Sequence, residues 1–261
     1  MSYNASIMDK KKVEVGHLHP VSQIIREIAV IFNDLGFEVA DGPELEKEWY
    51  NFDALNIPGD HPARDMQDTF WIKQKGGKVA DGEKSPDEKA NRLVLRTQTS
   101  AVQIRYMEDK IKKGIKPPYR IIVPGKVFRN EATDATHEAQ FFQVECLYVD
   151  KNVTLANLKW IIETFLKKLF GDDVKIRFRP SYFPFVEPAL EVDMLFKGKW
   201  LEMGGSGLVH PHVLDSVGVD SKEYSGLAFG FGIDRLVMLK HEGIDDIRNS
   251  YNGDLRFVTQ F

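Results

Sequence analysis

Strand-like segments follow one another through short turns in the middle of this 261-residue sequence, with one helical stripe among them. These segments are rich in β-branched and aromatic residues, or alternate between apolar and polar side chains. They lie at 119–124, 126–129, 139–149, 174–179, 190–196 and 200–203. Strands in direct succession are typical of an antiparallel sheet, whereas a doubly wound nucleotide-binding fold requires regular alternation of strands and helices. We therefore predict an α+β fold, with a mainly antiparallel sheet and helices on one side of it.

Helices are predicted at 20–35, 100–113, 155–169 and 231–241. The first helical stripe ends at Gly36, a residue favoured immediately after a helix, and a short strand is predicted at 37–40. The second helix is expected to begin at Ser100, which has capping-box spacing to Gln103. No run of about 18 apolar residues occurs, so we expect no contact with a membrane.

Charge and cysteine content limit the partners and the compartment. The net charge is −4, whereas a module that grips a long nucleic acid by itself is usually basic. The first 15 residues are polar and lack the apolar core of a secretory signal. Cys146 is the single cysteine, so no internal disulfide can form. We expect a buried thiol in a cytoplasmic protein.

The glycine-rich segment at 226–236 is the most unusual stretch of the sequence. Gly226, Gly230 and Gly232 would let the backbone approach a ligand closely or turn tightly before a helix. The segment lacks the lysine ending of a phosphate-binding loop and the spacing of a dinucleotide fingerprint. Arg235 would lie in the first turns of the helix, where its guanidinium could stack on a purine or contact a phosphate. Nucleotide binding and tight strand-to-helix packing both remain open on these residues.

A second constellation begins at 128–131 with Phe-Arg-Asn-Glu and ends with Gln143 and Glu145. Two strands joined by a loop would place Arg129 and Glu145 on neighbouring strands. The guanidinium of Arg129 offers two parallel donors to a carboxylate or a phosphate. Taken without context, a surface ion pair between Arg129 and Glu145 is the alternative.

Three segments together resemble the signature motifs of class II aminoacyl-tRNA synthetases. The helix and strand that end at Pro43 resemble motif 1, residues 128–131 resemble motif 2, and residues 230–235 resemble motif 3. Further stretches are similar to the catalytic domain of the bacterial phenylalanyl-tRNA synthetase α subunit: 50–56, 61–64, 68–71, 96–100, 133–137, 177–185 and 252–257. The resemblance covers residues 17–261 as one catalytic domain. Relatives carry an amino-terminal coiled coil, and because no heptad run precedes Gly16, we expect residues 1–16 to be a leader or linker remnant.

The resemblance implies a two-step reaction. Phenylalanine attacks the α-phosphate of ATP to give phenylalanyl-adenylate, and the terminal ribose of tRNA(Phe) then accepts the amino acid. It implies Mg²⁺ held by Glu202, the α-phosphate or the amino-acid carboxylate held by Arg129, and adenine held between Phe141 and Arg235. The residues that it assigns to catalysis or to ATP are Arg129, Glu131, His137, Phe141, Gly232 and Arg235, with His137 at the outer phosphates.

The amino-acid subsite is assigned in the same way. The resemblance places the polar end of phenylalanine against Gln98, Ser100, Gln143 and Glu145. Its ring would contact Phe183, Phe185 and Val186, with Ala228 as the floor of the pocket at the para position. An apolar pocket rejects an added hydroxyl by only about 100-fold, so tyrosine would leak through and proofreading would have to lie elsewhere. The resemblance implies that a β subunit supplies proofreading and much of the grip on tRNA in an α₂β₂ assembly.

Several positions depart from the family pattern. Phe142 stands where many relatives have histidine, Cys146 where most have glycine, and Asp234 where glutamate is more common; Gln67 falls at a variable position. Two alternatives stay open: an inert synthetase-like regulatory module, and a class II enzyme for another aromatic amino acid. Retention of the charged motif residues argues against the first, and Ala228 with the two phenylalanines argues against the second. A single-chain mitochondrial type is also disfavoured, since no anticodon-binding domain follows Phe261.

Overall fold

The computed structural model describes residues 16–65, 68–72, 92–130, 138–241, 244 and 246–261. Within them a seven-stranded sheet has the order β1-β4-β5-β9-β8-β7-β6, and β2 pairs with β3 in a separate two-stranded sheet. The strands are β1 Glu38–Val39, β2 Leu45–Lys47, β3 Leu93–Leu95, β4 Tyr119–Phe128, β5 Gln140–Asp150, β6 Lys175–Phe183, β7 Val186–Phe196, β8 Lys199–Val209 and β9 Ser225–Gly232. Only β1 and β4 pair in parallel among these strands. The prediction of a mainly antiparallel α+β fold is confirmed.

The helices of the described residues are α1 Pro20–Asp34, α2 Glu48–Asn51, α3 Ser100–Lys112, α4 Leu155–Phe170, α5 Pro211–Asp215, α6 Ile233–Lys240 and α7 Leu255–Val258. Local signals explain several boundaries. Pro20 occupies the first turn of α1, and Gly36 follows its end with a φ of +81°. Thr154 and Asn157 form a reciprocal capping box at the start of α4. None of these helices is both long and apolar enough to cross a membrane.

The helices cover both faces of the sheet, so the prediction of helices on one side is wrong. Alternate residues of a strand point to opposite faces. Ile122 and Cys146 pack with α1, α4 and α6, whereas Ile121 and Leu147 pack with α3 and α5 on the other face. The sequence pattern concealed this because the central strands are apolar on both sides, as expected for a doubly covered sheet.

The glycine-rich segment is a central strand, which the sequence analysis did not predict. Residues 225–232 form β9 between β5 and β8, and the last large helix begins at Ile233 and not at residue 231. Glycine is depleted in strands, so the usual strand signal is absent here. The predicted strands at 119–124 and 126–129 are likewise one continuous strand, β4. The predicted boundary between residues 16 and 17 stays a prediction, because residues 1–15 lie outside the described part.

Gly204 shows why glycine is needed where β8 meets β9. A Cβ atom at this position would lie 2.0 Å from the carbonyl oxygen of Gly230. We expect Gly204→Ala to force the two strands apart and to lower the free energy of unfolding by ~1–3 kcal/mol. Gly59→Ala is the matched control, because no heavy atom lies within 4 Å of a Cβ there. Thermal unfolding of both variants tests this expectation, and equal melting temperatures would contradict it.

Candidate active site

One cavity of about 440 Å³ collects the predicted site residues. The predicted residues that line it are Gln98, Ser100, Arg129, Phe141, Gln143, Glu145, Phe183, Phe185, Val186, Glu202, Ala228, Gly232 and Arg235. They come from β5, β6, β7, β8 and β9, from the first turns of α3 and α6, and from the loops beside these elements. Glu131 and His137 lie outside the described residues, so their placement stays a prediction. The volume is within the usual range for a small-molecule site, roughly 300–1,000 Å³.

Glu145 is the buried acid of this cavity, and its side chain is surrounded by donors. It lies on β5 between Val123 of β4 and Gly230 of β9, and only 5% of it is exposed. Its carboxylate accepts hydrogen bonds from the hydroxyl of Ser100, from Nε2 of Gln103 at 2.9 Å and from Nε2 of Gln143 at 2.7 Å. Burial raises the pKa of this carboxyl to about 7, although the Ser100 bond and the charge of Arg129 act in the opposite direction.

Ser100 and Gln103 do not form the predicted capping box. The N-cap of α3 is Thr99, which makes no side-chain capping bond, and Ser100 is the first helical residue. Both Ser100 and Gln103 donate to Glu145 instead. Residues three apart on a helix share a face, which also explains their spacing. Gln103 is therefore a site residue that was not predicted from the sequence. Its spacing from Ser100 was attributed to a helix-capping box instead.

Gln143 has an unused acceptor beside the buried acid. Its Oε1 is buried, and the described residues offer it no hydrogen-bond donor. Gly230 makes room for the pair, because a Cβ there would lie 2.8 Å from Nε2 of Gln143 and 3.1 Å from Cγ of Glu145. A buried acceptor without a donor is costly unless a ligand supplies one. The arrangement is thus suited to a ligand group with several N–H donors.

Arg129 follows the end of β4, and its guanidinium group donates a hydrogen bond to the protein backbone. Its Nε donates to the carbonyl oxygen of Thr97 at 3.3 Å, and its guanidinium carbon lies 5.1 Å from the centroid of the Phe141 ring. Thr97 is itself fixed by the fully buried side chain of Asn51, which donates to its hydroxyl at 3.0 Å and accepts from its N–H at 3.1 Å. Asn51 therefore supports Arg129 indirectly. The sequence offered it only as part of the stretch 50–56, with no role.

Arg235 lies in the first turn of α6, opposite β8. One terminal nitrogen of its guanidinium donates to the backbone carbonyl of Glu202. Gly232, the N-cap residue of α6, has open space where a Cβ would be. The start of α6 therefore has room for a ligand beside Gly232.

Glu202 is suited to a metal ion that is coordinated mainly by the phosphates of a bound nucleotide. It is not suited to a metal ion whose ligands all come from the protein. Its side chain is exposed on β8 and lines the cavity. The described residues contain no group of three or more His, Cys, Asp or Glu side chains arranged to hold a metal ion. Mg²⁺ commonly takes one or two carboxylates and completes its shell with phosphate oxygens and waters. Glu202 could supply one such carboxylate.

The opposite end of the cavity is apolar. The rings of Phe183 and Phe185 are nearly parallel, with centroids 5.9 Å apart and planes inclined by 16°. That separation is typical of two rings in contact, so a third ring would lie against the pair and not between its members. Gly205 is required beside them, since a Cβ there would lie 2.7 Å from the Phe183 ring. Further apolar lining residues, which the sequence did not single out, are Leu55, Met203, Val209, Val213, Phe229 and Ile247.

Asp234 is the family departure that lines the cavity, whereas Phe142 and Cys146 are not among its lining residues. Cys146 is fully buried in the core, where burial raises the pKa of its thiol well above the ordinary value. The prediction of a buried structural thiol is confirmed. Phe142 packs partly against the same core. Gln67 lies outside the described residues.

Comparison with known proteins gives concordant matches. Residues 2–261 match the model of the "tRNA synthetases class II core domain (F)" family. The chain is 50% identical over 247 residues to a phenylalanine–tRNA ligase α subunit of Rhodopirellula baltica, covering 95% of this chain and 69% of that protein. It is 47% identical over 263 residues to the corresponding subunit of Bacillus cytotoxicus, covering 96% of this chain and 70% of that protein. The chain also resembles a crystal structure of pyrrolysyl-tRNA synthetase from Desulfitobacterium hafniense, with a TM-score of 0.66 and 17% sequence identity. The match covers 90% of this chain and 74% of that chain, and it shows a similarity of fold.

The raised pKa of Glu145 has a consequence for stability. Between the ordinary carboxyl value of 4.5 and the folded-state value of about 7, the folded chain retains a proton that the unfolded chain has lost. The free energy of unfolding therefore falls as the pH rises through this window. Glu145→Gln has no proton to lose, so its stability relative to the parent should increase by roughly 2–3 kcal/mol between pH 5 and pH 7.5. Urea unfolding at several pH values measures this, and parallel stability curves for the two proteins would contradict it.

Proposed function

The chain belongs to the class II tRNA synthetase core family, among the phenylalanine–tRNA ligase α subunits, and from this membership and the cavity we propose how it activates phenylalanine with ATP and charges tRNA(Phe). The observation that carries the site assignment is the buried Glu145–Gln143 acceptor pair beside an apolar chamber. An ammonium group next to an aromatic side chain has the donors and the shape that this pair and this chamber complement.

The amino acid is proposed to bind with its ammonium at Glu145 and Gln143. The ammonium supplies the donor that Oε1 of Gln143 lacks, and its charge favours loss of the proton from the Glu145 carboxyl. The ring then lies against Phe183, Phe185 and Val186, with Ala228 at its far edge. Gln98 and Ser100 complete the polar end. The amino-acid carboxylate is left pointing toward Arg129.

ATP is proposed to bind at the other end of the cavity. Adenine lies between the ring of Phe141 and the guanidinium of Arg235, an arrangement that combines stacking with a cation–π contact. Gly232 leaves space beside the start of α6 for the nucleotide. Glu202 would hold Mg²⁺ together with phosphate oxygens, and the metal would neutralise phosphate charge when bound. Glu131 and His137 are assigned to the nucleotide by their place in motif 2, with His137 near the outer phosphates.

The first chemical step needs positioning and charge neutralisation and little covalent participation by the protein. The carboxylate oxygen of phenylalanine attacks the α-phosphorus, the bond from that phosphorus to the bridging oxygen breaks, and pyrophosphate leaves. Arg129 can donate to both the attacking carboxylate and a non-bridging phosphate oxygen, which aligns them and stabilises the added charge of the transition state. Its backing by Thr97 and Asn51 reduces the reorganisation required during the reaction.

The second step transfers the phenylalanyl group to the terminal ribose of tRNA(Phe). We propose that a β subunit, in an α₂β₂ assembly, supplies much of the grip on tRNA, since the chain has a net charge of −4. The same subunit is proposed to remove mischarged tyrosine, because an apolar pocket discriminates a hydroxyl by only about 100-fold. A cytoplasmic location is part of this proposal.

Arg129→Ala tests the assignment of the activation site. We expect at least about a 100-fold loss of phenylalanine-dependent ATP–pyrophosphate exchange, because a positioned charge that stabilises the transition state is removed. Arg120→Ala is the control, since Arg120 lies on β4, the strand that Arg129 follows, and outside the cavity lining. Circular dichroism and thermal unfolding would be used to check that both variants are folded. Exchange retained by a folded Arg129→Ala variant would refute the role of Arg129.

Ala228→Gly tests the floor of the amino-acid pocket. Removal of the methyl group opens space beyond the para position, and one methyl group in an apolar pocket is worth roughly 10–200-fold in discrimination. We expect kcat/KM for p-chlorophenylalanine in the exchange reaction to rise about tenfold or more relative to phenylalanine. An unchanged ratio of the two substrates would show that Ala228 does not face the ring.

A further inference from the structure

Asp234 is a buried carboxylate next to the nucleotide end of the cavity, and two other segments bind it. It is 3% exposed and lies in the first turn of α6. Its Oδ2 accepts the backbone N–H of Phe142 on β5 at 2.6 Å. Its Oδ1 accepts the hydroxyl of Tyr251 at 2.6 Å. Hydrogen bonds of this length to a charged acceptor are strong, and they fix the carboxylate on both sides.

This bonding links the two groups that are proposed to hold adenine. Phe141 precedes Phe142, and Arg235 follows Asp234, so the bond from Phe142 to Asp234 connects the neighbours of both residues. The ladder between β5 and β9 ends at the pair Gln143 and Gly232. Beyond that pair, the hydrogen bond from Phe142 to Asp234 continues the connection between β5 and the start of α6. The position of its carboxylate therefore influences the separation of Phe141 and Arg235.

Tyr251 is a fixed support for that carboxylate. It follows the 3₁₀ helix Ile247–Ser250, and its N–H donates to the carbonyl oxygen of Arg248 at 3.0 Å. The carbonyl of the preceding residue, Ser250, accepts from Nε2 of His19, the N-cap residue of α1, at 3.0 Å. Tyr251 is therefore anchored to the core through α1. It does not itself line the cavity, whereas Asp234 and Ile247 do.

We propose that Tyr251 is a positioning residue for ATP, which acts through Asp234 to set the spacing of Phe141 and Arg235. This inference rests on the proposed assignment of the nucleotide to that end of the cavity. Loss of the hydroxyl leaves one oxygen of a buried carboxylate without its donor, and such a group moves or takes up a proton. Either response weakens the bond to Phe142. Burial already raises the pKa of Asp234, and the Tyr251 bond opposes that rise.

Tyr251→Phe is the direct test, made in the chain assembled with its β subunit. We expect the KM for ATP in pyrophosphate exchange to rise about tenfold, the effect of losing one hydrogen bond to a charged group, and the KM for phenylalanine to change less than about twofold. Tyr148→Phe is the matched control, because that hydroxyl also donates to an aspartate, Asp150, at 3.0 Å, but from the far end of β5. It should leave both constants unchanged. An unchanged KM for ATP in Tyr251→Phe, or an equal rise in both constants, would overturn the proposal.

Asp234→Glu supplies a second test through its coupling to Tyr251. The carboxylate is moved one methylene closer to the tyrosine hydroxyl, so the single variant should raise the KM for ATP by crowding. Tyr251→Phe removes the oxygen that obstructs it, and the double variant should therefore have a lower KM for ATP than Asp234→Glu alone. Additive effects of the two substitutions would count against a direct contact that controls the nucleotide site.

Direct ATP binding by calorimetry separates this inference from the proposed function. If the parent protein lacks phenylalanine-dependent exchange but Tyr251→Phe still weakens ATP binding about tenfold, the function is wrong and the positioning role stands. If exchange is present and ATP binding is equal in the two proteins, the function stands and the positioning role is wrong.

Discussion

The pairing of β5 with β9 is the constraint on which the site depends. It places Glu145 opposite Gly230 and Gln143 opposite Gly232, and so joins residues that are nearly ninety positions apart in the sequence. Gly230 makes room for both buried side chains, since a Cβ there would lie 2.8 Å from Nε2 of Gln143 and 3.1 Å from Cγ of Glu145. The nearby glycines of β8 serve the same purpose for the ring of Phe183 and for the backbone of β9. Half of the described residues that line the cavity lie on β5, β8 and β9.

Charge in the cavity follows from this geometry. Glu145 is removed from water and would be expensive to ionise alone, so it is surrounded by neutral donors and lies within the field of Arg129. A cationic ligand group beside Glu145 would favour the ionised form of its carboxyl. The guanidinium groups of Arg129 and Arg235 each donate a hydrogen bond to a backbone carbonyl oxygen, which helps to orient them.

Many helices and strands could be predicted because the periodicity and composition of neighbouring residues indicate them. The helical stripe of α4 and the β-branched and aromatic residues of β5 predicted those elements to within one or two residues. Local sequence patterns gave a wrong prediction where the same residue spacing fits both a local capping motif and a tertiary contact. Ser100 and Gln103 have the spacing of a capping box, yet the tertiary contact with Glu145 takes both side chains. Strand β9 has almost no strand signal, since its composition is set by close packing against its neighbours.

The sequence by itself determined the α+β class, the family and which residue types are available for binding, because motifs and periodicity are properties of neighbouring positions. Only the tertiary structure decided that helices cover both faces and that the assigned residues of the described part share one cavity. It also assigned supporting roles to Gln103, Asn51 and Tyr251, each through a hydrogen bond to a residue at least 17 positions away. Such contacts are selected by the packing of distant segments, and no local pattern encodes them.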